Sequence, residues 1–290
     1  MTWAQLIPLA ITLSMAGLLL SVALETRFGD LLHLLRRPSL LLRSVLAMNV
    51  VMPLFAVALG LAFVQQLEHA VVVSLMAMSL GPVPPILPGK ELKAGGPRAY
   101  TMGLVFVSAA LSIVLVPAMI ALLGHVLDKP VQISMGSIAR IVATWMLLPL
   151  LLGALVRHAA PALAQHVVRP LAIASGALLA LACIPVLLQV WPKMLSLLGH
   201  FTLVAIIVFT LAGLAIGHLL GGPDPDERTV LALSTCTRHP AVAIAVLHAE
   251  PDRASVLAAV LLVLLVGGIA TGPYVKWRAG SHAPAGSRHA

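Results

Sequence analysis

A long apolar segment of this chain is interrupted by Gly81-Pro82-Val83-Pro84-Pro85-Ile86-Leu87-Pro88-Gly89. Its four prolines remove backbone donors and clash with preceding carbonyls, so that no continuous helix can pass through. A second apolar segment is interrupted by Ser234-Thr235-Cys236-Thr237-Arg238-His239-Pro240, which is polar and ends in a proline. The prolines predicted to form the scaffold of the two breaks are Pro82, Pro84, Pro85, Pro88 and Pro240.

The composition around these breaks is that of a membrane protein. Of the 290 residues, 60% are hydrophobic and only 10% are charged, whereas a soluble domain carries about a quarter charged residues. Soluble globular, disordered, collagenous and disulfide-scaffold classes are therefore excluded. Because the apolar runs are continuous rather than alternating, a transmembrane barrel does not fit either. The fold class predicted is an all-α polytopic membrane protein.

Nine apolar segments approach the length of about 20 residues that a spanning helix needs. The linkers leave no room for a soluble domain, so residues 1–277 are predicted to form one transmembrane domain, followed by a disordered cytoplasmic tail at 278–290. The predicted spans are 3–24, 39–64, 70–88, 99–123, 132–156, 170–190, 198–220, 229–249 and 254–275.

The basic residues predict the orientation. With the N-terminus outside and the C-terminus in the cytoplasm, thirteen of the 18 Lys and Arg residues fall on the inner side and three on the outer side. Such an excess of inner positive charge is the normal topology signal, which explains the net charge of +8 without a nucleic-acid partner. The inner residues are Arg27, Arg36, Arg37, Arg43, Lys90, Lys93, Arg98, Arg157, Arg169, Arg228, Lys276, Arg278 and Arg288.

The two breaks fall in spans three and eight, near the predicted bilayer midplane. An offset of five spans makes the two helices run in opposite directions. Paired broken helices in opposite halves are typical of secondary transporters built from inverted repeats, whose substrate site lies where the breaks meet. The predicted repeat halves are residues 1–124 and 170–277, linked by the span at 132–156.

Several local patterns resemble the bile acid:sodium symporter superfamily. They are Arg36-Arg37-Pro38, Val50-Val51-Met52-Pro53, Pro117 after the first break, the leucine-rich run 147–153, and the acidic loop and second break at 224–245. The resemblance implies a panel of spans one, five and six and a core of the other six, in which spans three and eight cross. It further implies a multi-pass protein of the bacterial inner membrane whose cargo is a carboxylate.

The resemblance also implies weakened sodium coupling. Sodium-binding members carry side-chain oxygens at the breaks and on neighbouring helices, and Thr101 retains one such hydroxyl. The other positions are occupied here by Met48, Leu87, Pro88, Val105, Ser234, Arg238 and His239. The coupling ion is then sodium or a proton, and no other cofactor and no metal-ligand set is predicted.

Arg238 is the main candidate for binding a substrate. It cannot deprotonate, and a buried arginine within a span is a functional hypothesis by default. All ten acidic residues are predicted at or near span ends. Arg238 is therefore expected to contact backbone carbonyls of the unwound segments, in a structural role, or the acid group of an anionic substrate.

Seven further residues are substrate-binding candidates, each with a structural alternative. His239 can carry a proton or be a neutral, hydrogen-bonded side chain. Lys90 follows the first break and either approaches the cavity or extends to the membrane surface. The hydroxyls either bind substrate or satisfy backbone groups, and Asn49 either binds substrate or links helices. The seven are His239, Lys90, Asn49, Thr101, Ser234, Thr235 and Thr237.

Together these features predict a non-enzymatic secondary transporter for a small organic anion, working by alternating access in a lipid bilayer. Two helix N-termini at the crossing would add positive potential suited to a carboxylate. An anion channel or a membrane receptor remains an alternative. An intramembrane enzyme with a Cys236–His239 dyad is less favoured, because Pro240 disturbs the helix. The sequence gives no indication of the oligomeric state.

Overall fold

The computed structural model describes residues 3–126, 135–199, 201–246 and 251–281, and these ranges contain helices and no strand. The α-helices are α1 Trp3–Ala23, α2 Phe28–Leu31, α3 Pro38–Val45, α4 Met52–Ala62, α5 His69–Leu80, α6 Leu87–Lys93, α7 Arg98–Val126, α8 Met135–Val142, α9 Leu148–Ala159, α10 Pro161–Leu197, α11 Thr202–Leu220, α12 Pro225–Cys236, α13 Ala241–Val246, α14 Arg253–Ala270 and α15 Gly272–Ser281. A 3-10 turn, Leu34–Arg36, precedes α3, and π-helical turns join α3 to α4 and α8 to α9.

The chain is a polytopic all-α membrane protein, as predicted. Seven helical segments in the described ranges are long and apolar enough to cross a membrane. The other two predicted spans are each divided at their break into shorter helices, α5 with α6 and α12 with α13. The seven are Leu6–Ala23, Pro38–Ala62, Arg98–Ala121, Ala139–Ala159, Pro161–Leu197, Thr202–Leu220 and Arg253–Ser281.

Prolines explain the two π-helical turns. Leu46–Val51 precedes Pro53, and Ala143–Leu147 precedes Pro149. In the first turn, the N–H of Met52 donates to Ala47 O, one residue further back than in an α-helix. A π-turn would then pair Met48 O with the next N–H, but Pro53 has none. The carbonyl of Met48 is thus left without a donor within its own helix.

The helices form two groups that contact each other. Helices α1, α9 and α10 pack together, and α10 also packs on α14. In the other group, α5 packs against α4, α13 and α14, and α6 packs against α7 and α12. The broken helices therefore lie within the second group, and α5 and α12 are almost entirely buried.

Helix α12 packs closely on α11 because glycines line the contact. A Cβ atom at Gly217 would lie 2.4 Å from Leu231 O, and one at Gly213 would lie 2.7 Å from the Cα of Cys236. Real Cβ atoms do not approach so closely, so only glycine permits this separation. The contact fixes the second broken helix against an unbroken neighbour.

The predicted start of the tail at residue 278 is wrong. Helix α15 continues to Ser281, and Arg278 is 7% exposed. Its Nε donates to Thr229 Oγ1 at 2.6 Å, and its Nη2 forms an ion pair with Asp226 at 2.9 Å. These contacts with α12 hold the helix end in place, and only residues 282–290 of the predicted tail lie outside the described residues.

Candidate functional site

The two breaks contact each other directly. Helix α5 ends at Leu80, residues 81–86 are not helical, and Pro88 lies in the first turn of α6. Helix α12 ends at Cys236, and α13 begins after Pro240. The backbone N–H of His239 donates to Pro82 O at 2.8 Å. Residues that are far apart in sequence thus meet through backbone groups that the prolines leave outside any helix.

Gly81 permits this contact by its size. Its φ of −64° and ψ of 152° suit any residue, so conformational freedom is not the reason for glycine. A Cβ atom there would lie 2.3 Å from His239 O. Because that atom belongs to the backbone, it cannot move aside as a flexible side chain would. The two breaks can therefore lie this close together only because residue 81 has no Cβ atom.

Arg238 lies at this contact and is 1% exposed. Its Nη2 donates to Met48 O and to Ser79 O, both at 3.0 Å, and lies 3.5 Å from Asn49 Oδ1. The structural role predicted for Arg238 is thus present in part, since it binds carbonyls of two other helices. One of these is in the π-turn rather than at either break.

Both carbonyls are available because neither receives a hydrogen bond from its own helix. Pro53 leaves Met48 O without a partner, as described above. The α-helical donor to Ser79 O would be the N–H of Val83, but this group lies 3.3 Å from Ser108 Oγ instead. A single Nη2 group therefore satisfies two carbonyls that the helices cannot.

The rest of the guanidinium has no partner. Nε and Nη1 of Arg238 are buried and make no hydrogen bond within the described residues. No ion pair joins Arg238 to a carboxylate in this part of the chain. A buried donor of a charged group left unsatisfied costs about 1–3 kcal/mol or more. The guanidinium consequently retains unused capacity to bind an anion.

A carboxyl group reaches the second broken helix, although the acids were expected near span ends. Glu91, on α6, is 0% exposed, and its Oε1 accepts a hydrogen bond from Ser234 Oγ at 2.5 Å. Its Oε2 has no partner, and neither has the buried Thr101 Oγ1. Ser234 thus contacts an acidic side chain from the helix that follows the first break.

The other candidates lie in different places. Thr235 Oγ1 bonds to Leu231 O within its own helix, and Thr237 Oγ1 lies 3.5 Å from Cys236 Sγ. Lys90 Nζ contacts Thr271 Oγ1 and lies 3.4 Å from Gly268 O, which ties α6 to the end of α14. The structure thus brings Arg238, Asn49 and the His239 backbone together at the crossing and places Lys90 apart from them.

The predicted alternative of a Cys236–His239 dyad has no support in the thiol contacts. Cys236 Sγ contacts Leu233 O at 3.3 Å and the hydroxyl of Thr237. His239 lies beyond the end of α12, where the backbone is extended rather than helical. The i,i+3 spacing therefore does not place the two side chains on one helical face.

Two cavities are lined by described residues, and only the smaller one includes residues that contact Arg238. One of about 10 Å³ is lined by Ser44, Met48, Asn49 and Ser108 among others, and it has room for about one water molecule. The other, of about 460 Å³, is lined by charged and polar groups at the ends of α1, α7, α9 and α10. Those groups are Glu25, Arg98, Arg157 and Gln165.

Sequence reasoning missed Glu91 and the carbonyls of Met48 and Ser79. A signal for Met48 was present, since a proline five residues onward removes its π-helical donor. For Glu91 the signal is weaker, since its place three residues after Pro88 indicates only that it lies in a helix that begins at the break.

Comparison with known protein families identifies a related family. The family model described as the sodium bile acid symporter family matches residues 10–196, which is more than half of the chain and includes the first break. None of the curated proteins matches the chain. The matched segment contains the Pro53 turn, both helices around the first break, and Glu91. With the membrane-spanning helices described above, this shows that the chain belongs to the sodium bile acid symporter family, a family of membrane transporters.

Proposed function

We propose that this protein is a secondary active transporter that moves a small organic anion of the carboxylate class by alternating access. It has nine spans in an inverted repeat, with the N-terminus outside and the C-terminus in the cytoplasm of a bacterium. Helices α1, α9 and α10 correspond to the panel, and the group containing the broken helices corresponds to the core. The substrate binds where the breaks cross, and Arg238 contacts its acid group.

One observation carries this proposal: the unpaired Nε and Nη1 groups of the buried Arg238. Each of these nitrogens can donate a charge-assisted hydrogen bond to a carboxylate oxygen, which is stronger than a bond between neutral groups. The bonds from Nη2 to Met48 O and Ser79 O fix the orientation of the guanidinium. The arginine is thus held by the protein at one nitrogen and open to an anion at the other two.

The transport function is tested with purified protein in liposomes. Radiolabelled acetate, pyruvate, succinate and taurocholate are offered singly, with protein-free liposomes as the control. We expect saturable uptake of at least one acid, and accelerated uptake when the same unlabelled acid is inside. Absence of saturable uptake and of binding for all four would contradict the proposal, and a non-saturating anion current would favour a channel.

Sodium is expected to have little effect on stability. Leu87, Pro88 and Val105 lack the side-chain oxygens that bind sodium in sodium-binding family members, and all three are in or beside the first break. The melting temperature of the purified protein should therefore be nearly the same in sodium chloride, potassium chloride and choline chloride at equal ionic strength. A large stabilisation that is specific to sodium would show that the expected loss of coupling is wrong.

Single cysteines test the proposed orientation. In a Cys183→Ala background, Lys193→Cys and Arg253→Cys should react with an impermeant thiol reagent in intact cells, because both positions are exposed and fall on the outer side in the proposed topology. Arg36→Cys and Arg169→Cys, equally exposed, should react only after the cells are opened. The reverse pattern would exclude the N-out topology.

A further inference from the structure

Glu91 has a setting that the anion site does not explain. It is fully buried, binds Ser234 through Oε1, and leaves Oε2 without a hydrogen-bond partner. Thr101 lies close enough to influence the carboxyl, but not in hydrogen-bond geometry. A buried carboxyl with one free oxygen requires either a proton or a cation. The inference that follows rests on the transport function proposed above.

No positive side chain neutralises Glu91 in the described residues. Helix α6 packs against α7, α12 and α15, and the titratable groups within electrostatic range of the carboxyl are Tyr100 and Cys236. Its neighbour Lys90 binds Thr271 instead. Most charged groups at the ends of the packed helices have other partners: Arg98 pairs with Glu25, Glu227 with Arg37, Arg278 with Asp226, and Arg228 with Gly222 O. Lys93 and Lys276 are exposed.

Burial without a counter-charge determines the protonation state of the Glu91 carboxyl group. An ionised carboxylate taken out of water without a partner costs several kcal/mol, and such groups become neutral instead. The hydroxyl of Ser234 is one donor, which stabilises the charge too little to offset that cost. In this conformation Glu91 is therefore the neutral acid, with its proton on the carboxyl group.

We propose that Glu91 binds and releases the proton that is coupled to anion transport. When the site opens to the more acidic side, a carboxylate oxygen takes a proton from hydronium, forming an O–H bond and leaving water. When it opens to the other side, that bond breaks, the proton passes to water, and the electron pair stays on the carboxylate. Ser234 Oγ then stabilises the ionised form.

The groups around Glu91 support a proton rather than sodium. A carboxylate paired with the Arg238 guanidinium is neutral, and a protonated Glu91 is neutral too. The substrate-loaded site can then switch its opening from one side of the membrane to the other without moving a net charge through the apolar core. Sodium would need several more oxygens around Glu91, and two nearby positions that supply them in sodium-binding members are Leu87 and Val105.

Infrared spectroscopy on the purified protein tests the proton directly. The difference spectrum between acid and alkaline samples should contain the carbonyl band of a buried protonated carboxyl. We expect this band to disappear in Glu91→Gln, to shift in Glu91→Asp, and to persist in the control Glu68→Gln, which alters an exposed acid. A band that is unchanged in Glu91→Gln would overturn the proposal.

Uptake measurements separate this inference from the transport function itself. In liposomes with an acidic outside, the parent should take up its acid at least about tenfold faster than without the pH gradient. Glu91→Gln should lose this acceleration but retain binding and counterflow exchange. Acceleration that persists in Glu91→Gln, or that requires sodium, would overturn the role of Glu91. Failure of the parent to bind any of the four acids would instead contradict the transport function, and the infrared result would still decide whether Glu91 holds a proton.

Discussion

Arg238→Gln is expected to abolish anion binding while the protein still inserts into the membrane. Glutamine is polar but shorter than arginine, and it has neither the positive charge nor the Nε and Nη1 donors that are unpaired in the parent. Removal of one partner from a buried charged pair costs about 2–5 kcal/mol, so that Kd should rise by at least about thirtyfold. Titration calorimetry with the acid that the parent binds measures this change.

Two further variants identify the cause of that loss. Arg238→Lys should recover only part of the affinity, because an ammonium group is a compact point donor without the spread of fixed donors that a guanidinium has. Arg169→Gln removes a positive charge at an exposed position and should bind like the parent. If Arg238→Gln binds as tightly as the parent, the arginine serves only to join the helices, and the substrate site lies elsewhere.

Gly81→Ala is expected to have the second largest effect, on stability rather than on binding chemistry. The added methyl group would lie 2.3 Å from His239 O, so the two breaks must separate. This loosens the hydrogen bond from His239 to Pro82 and the contact of Arg238 with Ser79 O. Overpacking costs about 1–3 kcal/mol where side chains can move. A larger cost is expected here because the methyl group would meet the backbone oxygen of His239, which cannot move aside.

Gly89→Ala is the matched control. It lies on the same broken segment, but a Cβ atom there would meet nothing within 4 Å. Thermal unfolding of the two purified variants in detergent should show a clear drop in melting temperature for Gly81→Ala and almost none for Gly89→Ala. Equal melting temperatures for Gly81→Ala and the parent would mean that the breaks are not in close contact in solution.

The breaks were predictable from sequence because proline acts locally. Its missing N–H and fixed ring disturb the residues beside it in any context, so that the ends of α5 and α12 follow from Pro82 and Pro240. The membrane class followed as directly from composition. The contact between the breaks was inferred from their placement in the chain, and the hydrogen bond from His239 to Pro82 O agrees with it.

The partners of Arg238 and Glu91 depend on tertiary packing, which no local pattern specifies. Glu91 is next to two lysines that lie toward the surface, and by composition it resembles a residue at a helix end. Only the packing of α6 on α12 puts it against Ser234. Similarly, the carbonyl of Met48 becomes a partner for Arg238 because the π-turn before α4 packs against α12, although Pro53 alone explains why it is free.

The first turn of α12 is attached to its surroundings from two sides. Arg278 of α15 binds Thr229 Oγ1, Pro225 O and Asp226, and Arg37 pairs with Glu227. Neither pair is fully buried, because Arg37 is 46% and Asp226 is 35% exposed, so each pair holds the helix less firmly than a fully buried one would. The second broken helix is nevertheless tied to two neighbours. A rocking motion that tilts α12 is therefore expected to carry α15 and the loop before α3 along with it.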